Sequence, residues 1–593
     1  MREMQIQQAI DGALSGRLSR REFMRRAAAL GMTATAVSAV LAACSSTVQS
    51  SAPRASAQAG GATASGAPGG LSNPYPVTGP QASGSGGTLI IGQESDMDVL
   101  DPALGTGAVT WRACLYQIYE SLAARQLNDP SGVRGAIVPG ITDSIDQSPD
   151  GKTYTFHLHP GITFSDGTPF DGNAVKWNVE RQWDQTSLGR QNASQFDQSA
   201  AAVRSWFWTP SHLQNIVVVD AHTVRFELGQ PFAEFVGGMI ESGLGTMGIT
   251  SPAVWQKGGN AAIAAQVVGT GPFVFKERVA GDHVTIVKNP NYWNPAQAAK
   301  ADSIIFKVLG DDAARVEALR SGDVHAIFAP PPSEIASLKQ AGFIVTARLN
   351  PHLWYLSLNA KEPYWQDVKV RQAFWMSIDR DGMAQQLLKG TAFGAINMQG
   401  PTAPSYSRSV MYPAYDPAKA KQLLSQTKYA SGFETVFQIP TGGSGELIPV
   451  QMAEWIAGNA AKIGIKINLQ TMEWISYLHA WGGGLQPGIG MNQQSWGMTS
   501  PYWLNLPLRN TSGFNVGHSV IQGMDQMLDA ADESLTASTE DAHYQAADSL
   551  NGQSLWSLPI VNSLQPTAIS PKVMNWVQSP DWWWDFRNVW VKG

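Results

Sequence analysis

Two histidines at alternating positions are the first residues of this chain that could bind a metal ion. His157 and His159 lie in residues 152–159, where apolar and polar residues alternate as in a strand. Side chains two residues apart on a strand share one face, so both imidazoles could reach the same ion. No third ligand is in view, whereas zinc sites use three or four protein ligands. We therefore expect no metal site.

The sequence gives little support to a secreted hydrolase, which remains a remote alternative. It contains neither a Gly-x-Ser-x-Gly elbow nor a His-Glu-x-x-His helix. Asp311 and Asp312 could form the acidic pair of a glycosidase, but they precede a helical pattern, where negative charge is favourable at the N-terminus. No cofactor fingerprint occurs. We expect no catalytic residue and no cofactor.

The N-terminus predicts export and lipid attachment. The paired arginines Arg20 and Arg21 precede an apolar run, residues 27–43, which ends in small residues before Cys44. As a helix this run would reach roughly 25 Å, short of a comfortable membrane span. The layout is typical of a twin-arginine signal peptide with a lipoprotein cleavage site, with 1–43 removed and Cys44 lipidated. The alternative is an uncut signal anchor.

Charge and cysteine content exclude other classes. Removal of residues 1–43 takes away six Arg and three acidic side chains, which moves the formal charge from −6 to about −9. No strongly basic stretch remains, so we expect no nucleic-acid partner. Besides Cys44 the chain has only Cys114, so a lipidated chain has no intrachain disulfide.

The remaining chain divides into a tether and a folded body. Residues 44–86, rich in Ser, Ala, Gly and Pro, predict a disordered linker behind the lipid. From residue 87 on, strand and helix patterns mix without a strict repeat, which favours an α/β (mixed α+β) fold of at least two lobes. One of the helices is expected over residues 108–124. Tryptophan is unusually frequent, with 21 residues, and supplies flat surfaces for stacking.

A series of short motifs occurs in a fixed order along the body. They are Leu100-Asp101-Pro102 and residues 150–158, 161–169, 269–273, 289–293, 370–380, 415–420 and 463–465. Together these motifs resemble the family 5 extracellular solute-binding proteins of bacterial ABC importers, the group that includes oligopeptide, dipeptide and nickel receptors. The resemblance covers most of residues 87–593.

The resemblance implies a type II periplasmic-binding-protein fold, hinged and closing on a solute between its lobes. It places the first lobe at 87–135, 266–350 and 558–593, a small inserted domain at 136–265 and the second lobe at 351–557. It implies a monomeric receptor that hands its solute to an ABC permease. The receptor would be anchored in the periplasm or on the outer face of the cytoplasmic membrane.

The resemblance also implies which residues line the solute site. These are Gln93, Glu94, Ser95 and Asp96 after the first strand, Trp354 and Tyr355 just past the lobe crossing, and Trp496, Thr499, Trp503 and Asn515 in two later loops. Trp481 and Tyr502 are expected near Trp496.

One position departs from the pattern of the family. Peptide receptors carry an Asp three residues after the Trp that matches Trp496, and that Asp pairs with the free α-amine of the peptide. Here the position is Thr499, and a neutral hydroxyl does not compensate a buried ammonium group. Two hypotheses remain open. Either another acid, Glu94 or Asp96, takes the charge of an oligopeptide, or the solute is an oligosaccharide or another molecule without an amine.

Overall fold

The computed structural model describes most of the chain after residue 72. The described residues are 73–97, 99–103, 114–131, 136–183, 212–240, 247–410, 412–443, 445–497, 500–581 and 583–593, with Glu22, Arg25, Arg26 and Ala29 before them and without the side chain of Ile475. The paired arginines, Cys44 and Thr499 lie outside this part. No helix within these ranges has both the length and the apolar character to cross a bilayer.

The described chain forms two compact units. The first unit comprises Asn73–Asn350 and Gln565–Gly593, and the second comprises Pro351–Leu564. The return to the first unit predicted at residue 558 is wrong, because Ser557–Ser563 is a strand of the second unit that pairs with His352–Leu358. The bounds 136–265 of the inserted domain stay a prediction.

The first unit is built on a seven-stranded sheet and a separate four-stranded sheet. The spatial order of the larger sheet is Ile344–Thr346, Thr567–Ile569, Ala326–Phe328, Thr88–Gln93, Ser303–Val308, His283–Lys288 and Phe273–Val279. The order of the smaller is Thr142–Gln147, Thr153–Leu158, Thr223–Glu227 and Asn215–Asp220. Two further pairs join Ala123–Arg125 to Ile137–Pro139 and Val573–Met574 to Trp590–Val591.

Two helices of the first unit begin at an aspartate that caps them. The helices of this unit are Tyr116–Ile118, Gly172–Trp183, Phe235–Gly238, Pro252–Gln266, Asp312–Ser321 and Ile335–Gln340, with 3-10 turns at Pro295–Gln297 and Pro332–Glu334. Asp171 accepts a hydrogen bond from the Ala174 N–H at 2.9 Å, and Asp311 caps its helix through the Ala314 N–H at 2.8 Å. The interpretation of Asp311 and Asp312 as a helix N-terminus is therefore confirmed.

Two predictions for the first unit are wrong. Residues 73–86 of the predicted tether belong to the folded body, because their backbone bonds to the C-terminal segment, for example from the Gly79 N–H to the Trp576 carbonyl at 2.9 Å. The helix expected over residues 108–124 fails at its end, where Ala123–Arg125 is a strand; residues 108–113 lie outside the described part.

The second unit contains one six-stranded sheet flanked by helices. Its spatial order is Ala392–Gly394, Ser557–Ser563, His352–Leu358, Met491–Gly497, Phe433–Pro440 and Ile465–Met472. The helices are Val368–Ser377, Arg380–Gly382, Pro417–Ser425, Pro449–Ala461, Trp474–Gly482, Asn505–Leu508, Met524–Asp532 and Ala537–Ser554, with a π-helix at Met383–Leu387 and a 3-10 turn at Pro501–Leu504. Both units thus mix helices and sheets, as the predicted α/β class requires.

Candidate functional site

The centre of the second unit's sheet buries an unusual number of polar side chains. Every residue of His352–Leu358 is buried, and this strand pairs antiparallel with Met491–Gly497. The second strand carries four consecutive buried polar residues, Asn492, Gln493, Gln494 and Ser495. Burying polar groups is unfavourable unless each finds a hydrogen-bond partner. Their partners therefore show what this region is built to hold.

One face of this strand pair holds a buried carboxyl group. Glu446 has no exposed surface and accepts a hydrogen bond from the Gln493 side-chain amide. Burial raises its pKa to about 8, although the Gln493 amide and the indole N–H of Trp354 partly oppose this. Among the described residues, Glu446 Oε1 and Gln493 Oε1 find no hydrogen-bond partner of ordinary geometry, and the Trp354 indole N–H is directed at the carboxyl. Two acceptor atoms at the carboxyl are thus unused by the described residues.

The backbone around Glu446 is held in an uncommon conformation. Gly445 and Leu447 have φ values of 77° and 63°, in the left-handed region that Leu rarely adopts. The Ser495 hydroxyl lies 2.8 Å from His352 Nε2 and 2.7 Å from the Gly445 carbonyl oxygen, to which it donates. This chain of contacts fixes the residue before Glu446 and therefore the position of the carboxyl.

An aromatic cluster, defined here as Tyr355, Trp481, Trp496, Trp503 and Phe514, lies in the same unit. Trp496 is its centre, with ring centroids 5.8 Å from Tyr355, 5.7 Å from Trp481, 5.5 Å from Trp503 and 6.3 Å from Phe514. Trp496, Trp503 and Phe514 are only half-buried. The cluster therefore offers aromatic surface for stacking.

Tyr477 connects the aromatic cluster to the buried carboxyl. Its hydroxyl donates to the backbone carbonyl of Gln493, and its ring packs in the same apolar group as Trp481 and Trp496. Burial raises the pKa of Tyr477 well above its usual range, and the nearby Glu446 raises it further. Tyr477 therefore relates the aromatic cluster to the acid, which lies on the other face of the strand pair.

The structure thus brings three of the predicted site residues, Tyr355, Trp496 and Trp503, into the aromatic cluster. Trp354 lies on the opposite face of the strand pair, toward Glu446. Trp496 lies on the strand Met491–Gly497 rather than in the predicted loop. Asn515 instead organises its own loop: its side chain donates to the Ser519 carbonyl at 2.7 Å and accepts from the Ser519 N–H at 3.1 Å.

The predicted residues of the first unit differ from one another in their surroundings. Gln93 ends the strand Thr88–Gln93, is fully buried, and has no side-chain hydrogen-bond partner among the described residues. Glu94 and Ser95 are half-buried. Asp96 accepts from the Gly281 N–H at 2.8 Å and lies 3.5 Å from Arg278, so it stabilises a neighbouring hairpin.

The two histidines considered for metal binding each face an aspartate instead. His157 lies 2.9 Å from Asp146 and His159 lies 2.7 Å from Asp143, with all four side chains substantially exposed. Within the described ranges, no group of three or more His, Cys, Asp or Glu side chains could hold a metal ion.

A cavity of about 470 Å³ lies within the first unit and is lined by charged and aromatic side chains. Glu120 on its wall accepts from Tyr292 at 2.7 Å, Trp293 at 2.8 Å and Thr270 at 3.0 Å. Arg587, also on the wall, pairs with Asp585 at 2.6 Å. These groups already bind one another, as in a structural polar network.

The chain has two α/β units, each built on its own central sheet. This is the architecture of the two-lobed periplasmic binding proteins. The sequence profile of the bacterial extracellular solute-binding proteins, family 5 Middle, matches residues 136–515, which is more than half of the chain. The chain belongs to this family and is a substrate-binding receptor of the ABC-importer type.

Named relatives agree with this assignment. The chain is 29% identical over 511 residues to heme-binding protein A of Haemophilus influenzae, covering 83% of this chain and 90% of that protein. It is 28% identical to di/tripeptide-binding protein 1 of Pseudomonas aeruginosa, covering 68% of this chain and 75% of that protein. The solved structure of periplasmic binding protein DppA from Helicobacter pylori, in complex with a peptide, shares the fold with a TM-score of 0.75 at 24% identity, covering 86% and 99% of the two chains.

Proposed function

We propose that the solute is a short peptide and that the receptor hands it, chemically unchanged, to an ABC permease in the membrane. The observation that carries the proposal is that one unit holds both two unpartnered acceptors, Glu446 Oε1 and Gln493 Oε1, and the aromatic cluster. A peptide has a backbone that can form hydrogen bonds with such acceptors and side chains that can stack on aromatic rings. The relationship to a di/tripeptide-binding protein supports the same solute class.

The alternative is a solute without an amine, such as an oligosaccharide. Thr499 favours it, because the sequence places a neutral hydroxyl where peptide receptors of the family carry an acid. The heme-binding relative adds a further amine-free compound to be tested, since hemin carries no ammonium group.

A thermal-shift screen of the chain without its first 43 residues tests the proposal. Mixtures of short peptides, oligosaccharides and hemin are added separately, because a ligand that binds only the folded state raises the melting temperature. Stabilisation by peptides alone supports the peptide proposal. Stabilisation by oligosaccharides or hemin, with none by peptides, would replace it with the alternative. Mass spectrometry of the recovered peptide tests whether the solute leaves unchanged.

We further propose that the receptor works as a monomer tethered by a lipid on Cys44, in the periplasm or on the outer face of the cytoplasmic membrane. The twin-arginine signal and the small residues before Cys44 support this. A nucleic-acid partner does not fit the negative charge of the mature chain.

Replacement of Cys44 by Ser is expected to abolish lipid labelling and to release the exported protein from membranes. Cells fed an alkyne fatty acid provide the measurement, by fluorescent tagging of the purified protein. Cys114→Ser is the matched control, because Cys114 is buried in the first unit and should not be acylated. Equal labelling of the Cys44→Ser variant and the wild type would exclude Cys44 as the attachment site.

A further inference from the structure

Glu446 is a buried acid whose carboxyl has an unused acceptor atom among the described residues. Its Oε2 accepts from Gln493, whereas Oε1 has no hydrogen-bond partner among the described residues. A buried carboxyl that lacks partners lowers stability, because it has lost its hydration without replacement. Together with the left-handed backbone at Gly445 and Leu447, this arrangement indicates a site whose missing partner is a ligand.

The unused atoms around Glu446 match the beginning of a peptide. An ammonium group has three N–H donors, and Glu446 Oε1 and Gln493 Oε1 are two free acceptors for them. The indole N–H of Trp354 is directed at the carboxyl itself. A peptide N-terminus carries an ammonium group, which requires acceptors of this kind.

The other acids that the sequence suggested are less suited to this task. Asp96 is already engaged by the Gly281 N–H and lies beside Arg278. Glu94 is half-buried and belongs to the first unit, whereas Trp354, Gln493 and Glu446 belong to the second. Glu446 is the carboxyl that shares a cluster with Trp354, a predicted site residue.

We propose that Glu446 is the counter-ion for the terminal ammonium group of the solute, with Gln493 as a second acceptor. This inference rests on the proposed peptide-receptor function. In it, Glu446 performs the role of the aspartate that other peptide receptors carry at the position of Thr499.

The proposal predicts that binding is coupled to proton release. The titratable groups that face the carboxyl or its loop are Tyr477, Tyr355 and His352, the last through Ser495. Burial raises the pKa of Glu446 to about 8, so it is mostly protonated at pH 7 without solute. An arriving ammonium group favours the carboxylate. The carboxylic proton then leaves to the buffer, with close to one proton released for each solute bound.

Calorimetric titration of the chain from residue 44 onward tests this. The probe is a mixture of di-, tri- and tetra-alanine, measured at pH 7 in two buffers of different ionisation enthalpy, beside the N-acetylated mixture. The wild type is expected to release close to one proton and to bind the free-amine probe at least about 30-fold more tightly than the acetylated probe. Glu446→Gln should reduce affinity for the free-amine probe by a similar factor and abolish proton release. Glu434→Gln, an exposed acid of the same unit, is the matched control and should change neither.

The outcomes separate this inference from the proposed function. If the wild type binds the alanine peptides without proton release and without preference for the free amine, Glu446 is not the counter-ion, although the peptide receptor stands. If the wild type binds neither probe, both proposals are overturned. Should Glu446→Gln fail to fold, proton release and the acetylation effect in the wild type still decide the question.

Discussion

Replacing Asp101 by Asn is expected to lower the free energy of unfolding by about 3–5 kcal/mol, because it removes a fully buried negative charge that pairs with a buried guanidinium. Asp101 and Arg181 form a two-pronged ion pair, with oxygen–nitrogen distances of 2.8 and 2.5 Å. Both side chains are almost fully buried, at 0% and 1% exposure. Urea unfolding of wild type and variant at pH 7, followed by tryptophan fluorescence, measures the difference.

The control for this prediction is an exposed ion pair in the second unit. Lys466 lies 2.9 Å from Glu434, with both side chains more than 60% exposed. Exposed pairs contribute about 0–1 kcal/mol, so Glu434→Gln should change stability by less than about 1 kcal/mol. An effect of Asp101→Asn as small as that of the control would show that the buried pair does not stabilise the first unit.

Replacing Trp496 by Ala is expected to weaken peptide binding by roughly 30-fold or more, because Trp496 is the centre of the aromatic cluster and is only half-buried. Large aromatic residues at the centre of a binding surface contribute most of its free energy, about 2 kcal/mol or more when truncated. Titration calorimetry with the alanine peptides measures the change in Kd, and circular dichroism checks that the variant is folded.

Trp177→Ala is the matched control for Trp496. Trp177 is also half-buried and contacts another indole, Trp255, at 6.0 Å, but it lies on a helix of the first unit. Its removal should affect stability without changing affinity. Retention of full affinity by Trp496→Ala would exclude the aromatic cluster from the solute site.

Local patterns in the sequence predict much of the fold. The alternation in residues 152–159 gives the strand Thr153–Leu158, and Asp171 caps the helix Gly172–Trp183. Such features depend on neighbouring residues and can therefore be predicted from sequence. Residues 73–86 could not be assigned in this way, because segments far away in sequence supply hydrogen-bond partners for them, as in the bond from the Gln578 N–H to the Val77 carbonyl.

The candidate site likewise contains residues that could be predicted from the sequence and residues that could not. Trp354, Tyr355, Trp496 and Trp503 were predicted from the resemblance, and the structure places them within one unit. Glu446 gave no signal, because its loop is far in sequence from Trp354 and only the sheet brings the two together. The run of polar residues 492–495 hid a central strand, since it lacks the apolar alternation by which strands are predicted. The one sequence feature that pointed to this part of the site was the series of polar residues 492–495 directly before Trp496.

The central claim is that this receptor binds a short peptide intact, and native mass spectrometry tests it most directly. The chain without its first 43 residues is incubated with a mixture of short peptides, desalted and weighed, and the bound solute is then released and weighed alone. We predict a protein mass increased by that of one peptide, and a released peptide of unchanged mass. A protein that carries no peptide, or a peptide recovered as fragments, would contradict the account.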